Sequence, residues 1–310
     1  MTSSMPSSTQ YPRRSPMARL TRVRRAVAIA TRHRVGGLYE GTHSSLHAGR
    51  SMEFNDLREY VRGDDVAEID WKASARSGGN LLVKRHIAER RTTLMVAVAT
   101  GRDFAGMASP TEKKVDVAVQ VAGVFGSIAT QHGDYVGVLR CDGDDIRADR
   151  PSTRDVELER MLGHIEEASG VERAAANLGR LLEVTATTLR RRGIVVVVCD
   201  DVDIDADLEA RLRRLVVQHE VILITIADLD PTDPAIANSP IVGLDDHREL
   251  LRELRADPQL RDAVRADRTD RAARRTAALS RLAISHLHLA GTDGLVPAVL
   301  TLIRNHRHAR

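Results

Sequence analysis

The 310 residues are 42% hydrophobic and 29% charged, the balance of a soluble globular protein long enough for a sizeable core. No stretch approaches the ~18 consecutive apolar residues of a membrane helix, and no apolar segment follows the first arginines as a secretory signal requires. The formal charge of +3 is uneven, because residues 1–39 hold eight arginines and no Asp, Glu or Lys.

Met1–Ser15 is rich in Ser, Pro and Thr and reads as disordered. Beyond Pro16 a helix is expected to about His33. Leu20, Val23, Val27 and Ala30 recur at three- and four-residue steps, with arginines on the other side. Such an arm suits nucleic acid, anionic lipid or an acidic partner. A solvated helix is the plainer expectation, and no specific nucleic-acid contact is assigned. Gly36–Arg91 follows neither the helical nor the strand period. It holds Tyr39, Phe54, Tyr60 and Trp71, half the aromatic residues of a chain that is 3% aromatic. Large rings bury much area, so their crowding predicts a small unit with its own packing. Inside it, a helix over Glu53–Tyr60 sets Asp56 one turn from Tyr60. Gly63-Asp64-Asp65 then marks a turn.

From Thr92 onward strands and helices alternate. Strands are expected at Thr93–Ala99, Tyr135–Cys141, Ile194–Cys199, Glu220–Ile226 and, more weakly, Ser285–Leu289. Helices are expected at Thr111–Thr130, Arg154–Ala168, Glu172–Arg192, Asp205–Gln218 and Val296–Asn305, with Asp245–Leu282 mostly helical and broken near Pro258. The alternation predicts an α/β fold with a doubly wound, mostly parallel sheet covered on both faces. The expected organisation is a basic arm over 1–34, a small irregular aromatic-rich unit over 35–91 and the α/β domain over 92–310. Ligands of such sheets sit beyond the carboxyl ends of the strands, which here are Thr100–Ser109, Asp142–Ser152, Asp200–Asp205 and Ala227–Ile236. Cys141 and Cys199 end apolar runs and read as reduced, buried thiols of a cytoplasmic protein.

The densest charges lie in Glu53–Arg76, EFNDLREYVRGDDVAEIDWKASAR. Their plainer role is an ion-pair and hydrogen-bond network in which Arg58 or Arg76 clamps Asp64, Asp65 or Asp70. An enzyme using the Glu53–Asp70 carboxylates for acid–base work is the alternative. This run also resembles the signature of domain-of-unknown-function family 58, a bacterial family. It does so at Glu53, Phe54, Asp56, Leu57, Arg58, Tyr60, Gly63, Asp64, Asp65, Ile69, Asp70, Trp71, Ala75 and Arg76. The resemblance implies a von Willebrand factor A-like domain after the signature. It further implies a non-enzymatic adaptor or co-chaperone of a MoxR-type AAA+ ATPase, with a membrane von Willebrand A-like protein as a further partner.

Domains of that kind typically hold a divalent metal through D-x-S-x-S after the first strand, because a hard ion wants about six oxygens. The equivalent stretch here is Ala99-Thr100-Gly101-Arg102-Asp103, in which Ala99 and Gly101 lose two ligands. A degenerate loop with no cofactor is therefore expected. A Mg²⁺ site rebuilt from Thr100, Asp103 and Asp200 would make the protein a metal-dependent ligand binder instead. Asp201, Asp203 and Asp205 read as solvated acids capping the helix that follows. His286 and His288 form an H-x-H pair without a third zinc ligand. There is no G-x-x-x-x-G-K-[ST] loop for ATP and no G-x-S-x-G elbow.

Overall fold

Ile194–Asp200 and Thr93–Val98 are the most continuous apolar runs of the chain, and they lie side by side at the centre of a sheet. The computed structural model describes residues 18–32, 57–61, 66, 69–78, 80–84 and 91–308. Of the sequence features above, Glu53, Phe54, Asp56, Gly63, Asp64, Asp65 and the first fifteen residues lie outside the described residues. Two compact units divide the chain: residues 1–33 with 93–310, and residues 34–92.

The larger unit opens with helix α1 (Ala18–Arg32). Its sheet has the order β5-β4-β3-β6-β7-β8. Strands β3 (Thr93–Val98), β4 (Tyr135–Asp142), β6 (Ile194–Asp200), β7 (Glu220–Ile226) and β8 (Ser285–Leu289) run parallel. Short β5 (Asp145–Ala148) pairs antiparallel with β4 at one edge. Val195–Cys199 are all buried, which is why β6 shows no alternation: helices cover both faces. Helices α3 (Lys114–Gln131), α4 (Asp155–Glu167) and α9 (Leu295–His308) pack on one face. Helices α5 (Leu178–Thr188), α6 (Ala206–Gln218) and α8 (Pro258–Arg281) pack on the other, with short α7 (Arg252–Ala256) leading into α8. The doubly wound, mostly parallel α/β fold is the one expected. Among the described residues no helix is long and apolar enough to cross a membrane.

Several boundaries differ from expectation: the stretch expected to be helical from Asp245 is helical only from Arg252, the helix expected from Thr111 begins at Lys114, and two further differences concern β5 and α5. β5 carries Asp-Ile-Arg-Ala, which alternates polar and apolar for only four residues with alanine as its second apolar position, too short and too exposed to read as a strand. α5 begins at Leu178 rather than Glu172, because the preceding amides are used elsewhere. Ala174 N donates to Asp142 Oδ1 at 2.9 Å and Ala176 N to Asp103 Oδ2 at 3.0 Å. Asn177 then caps the helix through Arg180 N at 2.9 Å.

α1 is not a solvated arm. Leu20 and Val23 are buried against α3 and α4, and Gly123 of α3 leaves room for Val23, whose Cγ2 would lie 2.8 Å from an added Cβ. The helix brings no acidic residue to its own first turn. Glu159 of α4 supplies one, accepting from Arg19 N at 3.2 Å and Leu20 N at 2.8 Å. Arg19 also pairs with Glu166, and Arg24 donates to Asp155 at 2.6 Å. The Glu159 carboxylate thus caps a helix it does not belong to. Glu159→Ala should cost about 1–2 kcal/mol, the size of a lost cap. It should speed amide exchange over residues 20–28 while the sheet keeps its protection. Unchanged exchange in α1 would refute the cap.

The smaller unit is built on β1 (Leu57–Glu59) and β2 (Leu82–Lys84), paired antiparallel with Arg58 opposite Val83. Residues 57–59 are therefore extended, not helical. A short helix, α2 (Trp71–Arg76), connects back to β2.

Candidate functional site

The carboxyl edge of the sheet gathers charge from four strand ends and two helices. After β3 the chain is tied to the residue 168–176 loop rather than opened toward a ligand. Thr100 is buried, and its hydroxyl donates to the Cys141 carbonyl. Gly101 N donates to Ala168 O at 3.0 Å, and Arg102 N to Ala174 O at 3.0 Å. Gly101 has φ +109°, and a Cβ there would lie 2.5 Å from Ala174 O. Asp103 accepts from Ala176 N. Asp200 lies at the end of β6, where it feels the Asp103 charge.

The partner of Asp200 is Lys114, the first residue of α3. Lys114 is only 2% exposed. Its Nζ donates to Asp200 Oδ1 at 2.7 Å and to the Asp228 carboxylate beyond β7. Asp200 Oδ1 also accepts from Asp201 N at 2.7 Å. Burial disfavours the Lys114 charge, yet the two carboxylates outweigh it and hold the ammonium above the ordinary lysine range. Burial pushes Asp200 up to about 6, with Lys114 opposing and Asp228 adding to the rise.

A second buried cation lies alongside. Arg275 of α8 pairs with Asp201 and lies 3.3 Å from His288 Nδ1. Arg268 donates to the carbonyls of Asp228 at 3.3 Å and Leu229 at 3.0 Å. Arg271 and Arg274 sit 3.8 Å and 3.6 Å from Asp203. Asp201 is thus paired with α8 rather than solvated, Asp203 stays exposed to solvent beside Arg271 and Arg274, and Asp205 caps α6, accepting from Leu208 N at 2.8 Å.

The H-x-H pair faces this same helix. His288 Nδ1 is 2.9 Å from Thr225 Oγ1, and His286 Nε2 is 3.4 Å from Thr276 Oγ1. Burial, then Arg275 and Arg268, push His288 down to about 4, with His286 adding and Asp228 opposing. Folded His288 therefore holds fewer protons than its unfolded counterpart between about pH 4 and the ordinary value near 6.5. Its stability contribution is complete above that window and is lost as pH falls through it. His288→Gln should flatten this part of the pH–stability curve relative to the wild type in urea unfolding. Parallel curves would contradict it.

In the signature unit, Asp70 caps α2, accepting from Lys72 N at 3.1 Å and Ala73 N at 3.0 Å. Arg76 Nε donates to Lys72 O at 3.1 Å. Ser74, absent from the sequence-level candidates, is buried and links the parts: its hydroxyl donates to Asp70 O and accepts from Leu82 N, both at 2.8 Å. Tyr60 N closes onto Leu81 O at 2.8 Å. Trp71, expected as packing, is 63% exposed.

Sequence reasoning missed Lys114, Asp228 and Arg275. Their partners lie far away in sequence, 86 residues for Lys114 and Asp200. One signal was available: a lysine opening an apolar helix sits against the helix dipole.

A divalent cation at this edge would need about six oxygens near 2.1 Å. Asp200 and Asp228 are both bonded to Lys114, Thr100 is bonded to the Cys141 carbonyl and Asp103 to the Ala176 amide, and Ala99 and Gly101 bring no side-chain oxygen. The residues present do not fit the ion. Among the described residues no cluster of three or more His, Cys, Asp or Glu is placed to hold a metal.

The strand order and the two-sided helix cover make the larger unit a doubly wound, mostly parallel α/β domain. The family model "Protein of unknown function DUF58" matches residues 56–277, and the chain belongs to that family. Uncharacterized proteins of Mycobacterium bovis and Mycobacterium tuberculosis are 29% identical over 257 residues, covering 79% of this chain and 78% of each relative. Among solved structures, the conserved hypothetical protein BatB from Bacteroides thetaiotaomicron covers 69% of this chain and 98% of its own, with 9% identity and a TM-score of 0.42. A von Willebrand factor type A from Catenulispora acidiphila covers 47% and 35%, with 12% identity and a TM-score of 0.33. Likenesses this distant carry no functional weight.

Proposed function

We propose that the protein is a non-enzymatic, cytoplasmic interaction module that serves as adaptor or co-chaperone of a MoxR-type AAA+ ATPase, docking through its family signature. The observation that supports this is the surface of the smaller unit. The single tryptophan of the chain, Trp71, stands exposed inside the signature run, and Val61, Val66 and Leu81 of the same unit are exposed as well. Four exposed apolar side chains on so small a unit are what an interaction surface would offer, and a tryptophan is the typical anchor of such a surface. Around it, the Asp70 cap and the Ser74 hydrogen bonds give α2 a fixed scaffold.

The test is capture of the purified ATPase by the immobilised full chain, with ATP and with ADP. Trp71→Ala should weaken binding by roughly 30-fold, the ~2 kcal/mol of an anchor residue, without changing Tm. No capture in either nucleotide, or full affinity in Trp71→Ala, would refute the proposal.

A further inference from the structure

We infer that the Lys114 ammonium is the protein's own replacement for the divalent cation of a von Willebrand factor A-like fold, so that the strand-end loops hold one metal-independent arrangement. This does not depend on which partner the signature unit takes. Four observations carry it. Lys114 rises from the head of α3 to the ends of β6 and β7, where it bonds Asp200 and Asp228 together. An ammonium brings positive charge and three donors to that point, which is what two facing carboxylates require.

The oxygens a metal would need are also committed elsewhere. Thr100 and Asp103 are bonded to Cys141 and Ala176, and position 101 cannot carry a hydroxyl side chain while Ala174 O occupies the place of its Cβ. The lysine is moreover enclosed. Its backbone N donates to Gly106 O at 2.9 Å, and a Cβ on Gly106 would meet Leu244 Cδ1 at 3.0 Å and Lys114 Cε at 3.8 Å. Finally, a buried lysine at a helix N-terminus is opposed by both desolvation and the helix dipole. Its presence there is accounted for by the two acids it neutralises.

Recognition by this edge should then ignore Mg²⁺, Mn²⁺ and chelators. In isothermal titration of the full chain, Mn²⁺ should give no saturable heat, and neither Mn²⁺ nor EDTA should shift Tm. Lys114→Ser removes the built-in cation and adds an oxygen. It should lower Tm, bind Mn²⁺ on the order of tenfold or more tightly than the wild type, and recover Tm as Mn²⁺ is added. Asp200→Asn in that background should abolish the recovery. Saturable Mn²⁺ binding by the wild type, lost in Asp200→Asn, would overturn the inference, as would a Lys114→Ser variant that is neither destabilised nor responsive to Mn²⁺. The wild-type titration decides alone if Lys114→Ser does not fold.

Discussion

Replacing Lys114 with methionine should lower the stability of the larger unit by about 3 kcal/mol, read as a fall in the urea midpoint at constant slope. Methionine nearly conserves the volume, so packing is kept and only the charge and its hydrogen bonds are lost. Asp200 and Asp228 then face each other without a counter-charge. Removing one partner of a buried pair typically costs ~3–5 kcal/mol. The lower end applies here because Asp228 is 54% exposed and water screens part of its charge. Adding Asp200→Asn should restore part of the loss, because the unmatched carboxylate goes with it. The double variant should therefore lose less than the sum of the single changes. A loss below about 1 kcal/mol in Lys114→Met would mean the ammonium is not needed there.

Gly101→Ala should cost about 2–4 kcal/mol. Two terms add: roughly 1–2 kcal/mol for an L-residue at positive φ, and ~1–3 kcal/mol for forcing a methyl into a filled place. The obstacle is the backbone oxygen of Ala174, which no rotamer change can move. Relief requires displacing the 168–176 loop, which carries the amides bonded to Asp103 and Asp142. The loss should appear in urea unfolding together with faster proteolytic cleavage between residues 169 and 177. Wild-type stability in Gly101→Ala would show that the loop yields freely.

The sheet was legible because its strands announce themselves through composition. Val195–Cys199 and Val221–Ile226 are runs that only a two-sided burial explains. β5 was not legible, since four residues with isoleucine and alanine between two charges are too short a period to read. The residues of β1 fit a helical spacing when taken alone. They are extended because β2 pairs with them from more than twenty residues away, and a three-residue strand leaves no local signature. α1 was readable as a helix, but its docking was not, because the acid that caps it is Glu159 of a distant helix. The same holds for the candidate site. The loss of metal ligands at Ala99 and Gly101 was visible in one short stretch. The cation that answers Asp200 was not, because Lys114 and Asp228 come from other elements. Asp201 looked like a solvated acid for the same reason, its arginine being carried by α8.

The most direct test of a built-in cation at the carboxyl edge is a crystal structure of the full chain grown in MnCl₂, with anomalous scattering recorded for manganese. The expected result is Lys114 Nζ within hydrogen-bond distance of both Asp200 and Asp228 and no manganese peak beside them. A manganese peak bound to Asp200, with the Lys114 side chain turned away, would contradict it.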